Sequence, residues 1–294
     1  MERKKILAWL LSTAALLSLA GCKDKKTSES DSESTEGVVY QESEDGRYAI
    51  VSDYEGSSSV VRIAELYNGL PVTEIADFAF NSRNSVTEIV LPDSILTVGN
   101  FAFSNCLALQ SVVFSEGVTS IGERAFFGCG SLTEIAFPTT VQSFGFNALG
   151  ECEKLKKITL PFIGESKDGT ENTHFGFLFG ADEYLKNPQY VPQTLRSVTI
   201  TNTASIDDWA FNECAMLEEV ELPANITQIG HRTFYLCDSI DEIFIPATVV
   251  YVANYAFAYC YSITIYCEVA EKPFAWDDNW NYGFPVVWDC TSKN

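Results

Sequence analysis

Apolar residues recur along this chain with a long period. From Ile121 the order is Ile-Gly, two variable residues, Ala-Phe, two variable, Cys, two variable, Leu, two variable, Ile, one variable, a large apolar residue and Pro. The leading position falls at Val98, Ile121 and Phe144, then at Ile206, Ile229 and Val252, and the step within either run is constant at 23. A helix repeats every 3.6 residues and a strand every 2. A fixed period of roughly 20–50 residues marks a solenoid, whose units bury an apolar face only against one another.

Within each repeat the pattern predicts one strand. These strands fall at residues 86–91, 109–114, 132–137, 155–160, 195–200, 217–222, 240–245 and, less regularly, 263–266. First, fourth and sixth positions are apolar and point inward, so the third and fifth face out across a sheet. Proline often follows, as at Pro92, Pro138 and Pro223, and ends the strand because it has no N–H to donate. A second apolar column is Phe80, Phe103, Phe126, Phe211, Phe234 and Phe257, with Leu149 in one place. Small residues such as Ala102 and Ala125 precede it, and Gly99, Gly122, Gly145 and Gly230 mark a tight backbone position. Burying one such ring contributes about 1.5–3 kcal/mol, while backbone ordering costs about 1–2 kcal/mol per residue. No coil folds alone.

Outside the repeats the pattern changes. Residues 1–21 read as an export signal: Arg3, Lys4 and Lys5, then an apolar run from Ile6 to Leu19 that is short for a membrane span. The run ends Leu19-Ala20-Gly21-Cys22, which resembles the bacterial lipobox and makes Cys22 the expected lipid attachment. With two or more acyl chains such an anchor is stable. The tether, residues 22–37, has no large apolar side chain beyond Cys22 and is expected to stay disordered. Residues 38–74 lack the repeat and read as an N-terminal cap, residues 75–262 as the repeats, and residues 263–294 as a C-terminal cap. The distance from Phe144 to Ile206 holds two coils, one of them longer than the regular repeat, and the extra residues belong to an insertion placed at residues 162–194. There Phe175 and Phe179 are expected to fill the core as a worn copy of the repeat.

Composition narrows the chemistry. The formal charge is −21, and the first 21 residues carry a net +2, so the remainder stands at −23. That argues against nucleic acid as a partner and against docking of the folded body on anionic lipid. His174 and His231 are the two histidines, and neither lies in a metal-ligand spacing. No phosphate loop or nucleophile elbow occurs. No cofactor and no enzyme activity are expected, although a glycosidase needs only two carboxylates. Nine cysteines in an exported chain usually suggest disulfides. Here Cys106, Cys129 and Cys152, and Cys214, Cys237 and Cys260, recur at one phase, so their Cβ vectors run parallel and they read as buried thiols. Cys267 and Cys290 lie outside that phase, and a disulfide between them is left open.

The run IGERAFFGCGSLTEIAFP and its copies resemble the BspA-like, or Treponema-type, leucine-rich repeat of bacterial surface proteins, over roughly residues 75–262. The resemblance implies a β-rich solenoid: a right-handed coil with a parallel sheet on its concave face and a cap at each end. It also implies adhesion at a bacterial cell surface, to a protein or glycan on host or neighbouring cells, with the membrane reached through the N-terminal lipid. A glycan-active enzyme and a non-adhesive envelope protein are the alternatives. Oligomeric state is not legible. Along the outward positions, Lys156, Lys157 and Arg196 form the one basic spot on the sheet, followed by Glu218, Glu219 and Glu221 and then Phe244. This charge boundary is the expected contact site, with the insertion beside it.

Overall fold

The computed structural model describes residues 34–292. The export signal and Cys22 lie outside them. The described chain is a parallel-strand β-solenoid of about 10 turns. Two rows of short strands run along it. The first row begins at Val60–Arg62 and Glu88–Val90 and reaches Glu242–Ile245 and Thr264–Cys267. The second row begins at Leu70–Ile75 and Thr97–Val98 and ends at Tyr251–Val252. Helix among the described residues is confined to the insertion: two 3-10 turns and the single α turn Asn187–Tyr190.

Strand pairing follows the phase of the sequence. Glu134, Lys157, Ser197 and Glu219 are register partners on successive strands, and so are Ile135, Ile158, Val198 and Val220. The second set is buried, as the alternation requires. The first row is not one continuous ladder. It falls into three hydrogen-bonded sheets, with breaks between Ser111–Val113 and Glu134–Ala136 and between Glu219–Glu221 and Glu242–Ile245. At the second break Glu219 and Glu242 share one phase, and like charges at facing positions disfavour pairing.

The phenylalanine column is a stack of rings. Phe80–Phe103 and Phe103–Phe126 centroids lie 5.1 and 5.2 Å apart, and Phe211–Phe234 and Phe234–Phe257 5.3 Å each. Tyr54 extends it into the N-terminal cap and Trp280 into the C-terminal one. The glycine column is a close approach between coils: a Cβ at Gly122 would lie 2.6 Å from Asn100 N, and one at Gly230 2.5 Å from Asp208 N.

Each regular coil turns two corners through left-handed backbone. The first corner is Phe78, Phe101, Arg124, Asn147, Trp209, Arg232 and Tyr255, with φ between 51° and 62°. The second includes Ser82, Asn105, Glu151, Glu213, Leu236 and Tyr259. Such backbone costs non-glycine residues about 1–3 kcal/mol each. Bonds between coils hold it, as where Phe78 N donates to Asn100 O and Trp209 N to His231 O at 2.9 Å each.

Both ends are closed. At the N-terminal end Val38–Glu42 pairs antiparallel with Ala49–Tyr54, which pairs parallel with Leu70–Ile75, the first strand of the second row. Thr35 covers the first strand of the first row: its N–H donates to Arg62 O at 3.0 Å and its hydroxyl accepts from Arg62 N at 2.8 Å. At the other end Val286–Val287 pairs with the last long strand, and Trp276, Trp280 and Trp288 pack together over the final coil.

Candidate binding surfaces

Lys156 and Lys157 are exposed, and among the described residues neither has a carboxylate in ion-pair contact. Arg196 differs from the sequence expectation. Its Nε pairs with Glu218 at 3.0 Å, and Nη1 donates to Gln193 O at 2.7 Å and Leu195 O at 2.9 Å. It is half-buried and its charge is spent locally, so the basic spot consists of the two lysines. Across the neighbouring strands Ser197 donates to Glu219 and Thr199 to Glu221, at 3.2 and 2.9 Å. Lys157, Ser197 and Glu219 are thus brought together in one register row. Phe244 is half-buried in the next sheet, in register with Tyr266 and not in the ladder of Glu221.

The insertion does not continue along the lysine strand. It borders the second row, where Ser166 bridges to Ser143 and Lys167 N donates to Gln142 O. Phe175 and Phe179 are buried, as the sequence predicts. Phe175 takes the ring position against Phe211, at 5.0 Å. Leu149 N donates to Leu178 O, which puts Leu178 in the small-residue column. The buried Asn187 ties the segment together: its Oδ1 accepts from Gly176 N at 3.0 Å and its Nδ2 donates to Ala210 O at 3.2 Å. His174 is buried with Nε2 against Ala181 O at 3.1 Å, and burial holds its pKa below the ordinary 6.5.

On either side of the insertion the second row opens into a cleft. One, of about 650 Å³, includes Ser120, Glu123 and Glu165. The other, of about 610 Å³, is bounded by Thr170 and Thr173 from the insertion and by Asp207, Asp208, Tyr251 and Asn254 from the coils. Sequence reading missed these residues. A signal was present: Asp208, His231, Asn254 and Asp277 follow one another at the period of the coils. Among the described residues no group of three His, Cys, Asp or Glu side chains is placed to hold a metal ion.

The six columnar cysteines are buried free thiols. Each of five donates to the carbonyl of a phenylalanine in the preceding coil: Cys106 to Phe80 at 3.0 Å, Cys129 to Phe103 at 3.2 Å, Cys152 to Phe126 at 3.3 Å, Cys237 to Phe211 at 3.1 Å and Cys260 to Phe234 at 2.8 Å. Before Cys214 stands the insertion, and its thiol reaches only Asn212 O at 3.8 Å. Burial pushes the thiols up, Cys106 to about 11 and Cys152 and Cys260 to about 12. Cys267 and Cys290 are also free thiols, joined by a backbone bond from Cys290 N to Cys267 O at 3.0 Å.

Residues 72–167 and 187–268 match the family described as the BspA type leucine-rich repeat region, in 6 copies. Among solved structures, a Treponema pallidum leucine-rich repeat protein is 25% identical, covers 70% of this chain and 90% of its own, and superposes with a TM-score of 0.52. A leucine-rich repeat protein from Bacteroides capillosus is 28% identical over 44% of this chain and 97% of its own, with a TM-score of 0.37. One from Eubacterium ventriosum is 20% identical over 78% and 64%, with a TM-score of 0.46. No curated protein matches the chain. The family match spans more than half of the sequence and coincides with the coils, so the chain belongs to the BspA-type leucine-rich repeat family.

Proposed function

We propose that this protein is a lipid-anchored binding protein of a bacterial cell surface, using the first strand row to contact a protein or glycan on a host or neighbouring cell. The carrying observation is the row itself. Lys156 and Lys157 project from an acidic chain with no ion pair among the described residues, on a sheet that runs on to the carboxylates of Glu219 and Glu221. Complementary charge of this kind steers encounter and fixes register more than it adds affinity. Membership of the repeat family and the Leu19-Ala20-Gly21-Cys22 ending support the display of that face outside the cell. Binding, and not turnover, is the role this reading assigns.

The test has two arms. Radiolabelled palmitate is expected to enter the wild-type chain and not Cys22→Ala; equal labelling of both removes the anchor. Cells displaying the chain are then scored for binding to matrix proteins and to cell preparations. The double reversal Lys156→Glu with Lys157→Glu is expected to fold normally and to weaken binding about tenfold or more. Arg196 is left intact because its bonds to Glu218 and two carbonyls are structural. Undiminished binding by the folded double variant places the contact elsewhere.

A further inference from the structure

In the cleft beside the insertion a carboxylate stands where most coils carry glycine or alanine. In the coils led by Val98, Ile121, Phe144 and Ile229 the next residue is glycine, pressed against the coil before it. After Ile206 the residue is Asp207. The turn before it is the irregular insertion, which leaves room for a carboxylate. Asp207 takes hydrogen bonds from Thr173 and from Ser205, the latter at 3.4 Å, and burial lifts its pKa above the usual carboxylate range.

From there the polar column runs outward, one residue per coil. Asp208 Oδ1 accepts from His231 N at 2.6 Å. Asp277 Oδ2 accepts from Asn254 N at 2.9 Å and from the Tyr251 hydroxyl at 3.1 Å. The carboxylates are therefore fixed in direction before any ligand arrives. Among the described residues no ion pair neutralises Asp207, Asp208 or Asp277. Rings lie alongside. Tyr251 and Tyr255 line the cleft, and Tyr255 leads on to the exposed Tyr282 at 6.0 Å.

This lining selects a ligand. No lysine or arginine lines the cleft, so it offers no cationic side chain to a phosphate or carboxylate. Most of its polar groups exclude a purely apolar guest. An ammonium or guanidinium group only donates, and would leave the amide donors of Asn254 and Gln228 unmatched. A sugar hydroxyl both donates and accepts, and the C–H face of a pyranose packs against an aromatic ring. The volume of about 610 Å³ is within the usual range of roughly 300–1,000 Å³ for small-ligand sites.

We propose that this cleft binds a neutral oligosaccharide, with Asp207, Asp208, Asn254 and Asp277 taking its hydroxyls and Tyr251 and Tyr255 packing against its ring faces. The site lies on the second row, apart from the lysines of the first, and it rests on the cell-surface reading only in that a displayed chain meets glycans.

The experiment titrates the full chain with neutral hexasaccharides of glucose, mannose, galactose and N-acetylglucosamine, with a lysine-rich peptide as the cationic comparison. At least one sugar is expected to bind, with little change between low and high salt. Asp207→Asn and Tyr255→Ala are each expected to weaken it about tenfold or more. Asp207→Asn keeps the shape of the side chain, so its loss of affinity is read on a folded protein. Lys157→Glu is expected to leave sugar binding unchanged. Three results overturn the proposal: no sugar binds, the two cleft variants bind as the wild type does, or only the peptide binds. If sugars fail while displayed cells still adhere through Lys156 and Lys157, this inference falls and the sheet-face reading stands.

Discussion

The smallest unit with a distinct job is the columnar thiol. Cysteine is small enough for the core, and its weak donor reaches a carbonyl that would otherwise be buried without that partner. In the first coil Arg83 stands at this phase and reaches instead to Asp53 at 2.7 Å, holding that carboxyl below its usual range. Thiol reagents are expected to modify Cys106, Cys129, Cys152, Cys214, Cys237 and Cys260 only after unfolding, because a thiol pushed up to about 11 or 12 carries almost no thiolate near neutrality. Ready labelling of the native protein contradicts the burial. The same shifts give a pH dependence. A folded value above the ordinary 9.0 means that the unfolded chain sheds protons that the folded one keeps. Stability is therefore full below pH 9.0 and falls as pH rises from there toward about 12, which urea titrations at successive alkaline pH values read directly. Cys129→Ser is expected to cost about 1–3 kcal/mol, since a hydroxyl is harder to bury than a thiol.

At the scale of the element, what could be read from sequence was whatever repeats at a constant phase. The strand columns, the phenylalanine stack and the thiols each declare themselves once per coil. Phe175 and Phe179 were legible because they keep the order of the repeat. The left-handed corners were not. Phe78, Arg124, Trp209 and Tyr255 have no local taste for positive φ, and bonds to the next coil impose it. The sugar cleft was hidden for a related reason: Asp207 becomes informative only beside a gap in the stacking. Arg196 looked exposed by phase, yet its long side chain folds back on Gln193 and Leu195. Inside the insertion the decisive residue is Asn187, which stands in for the coil-to-coil bonding of a regular repeat. Asn187→Ala is expected to destabilise by about 1–3 kcal/mol, as Gly176 N loses a buried acceptor. Asn187→Asp keeps that acceptor but loses the donor to Ala210 O, and is not expected to restore stability fully. Urea midpoints equal to wild type for both variants would show that the insertion holds together by other means.

At the scale of the whole molecule, the strand pairs, the ring stack and five of the thiol bonds all join one coil to the next. Stability then behaves as a sum over coils and their interfaces. Removing residues 98–120, one full period, lets Ile121 follow Thr97 in the place of Val98 and keeps every column in phase. That deletion is expected to fold, with a smaller urea m-value because less surface is exposed on unfolding. Removing residues 98–108 breaks the phase of the phenylalanine and cysteine columns and is expected to yield no cooperative transition. Similar behaviour of the two deletions would contradict the additive picture.

The closed ends have a further consequence, for growth. A solenoid coil is a translational copy of its neighbour, so an open last coil presents the surface that an open first coil is shaped to receive. Two such molecules would join head to tail, and nothing in that geometry would stop a third, because heterologous contacts that do not close on themselves run on as fibres. Thr35 over the first strand and the Trp276, Trp280 and Trp288 cluster over the last make the two ends unlike any coil. They act as chain terminators. Head-to-tail growth would need both ends opened, since a form lacking the tryptophans alone would still meet the end closed by Thr35.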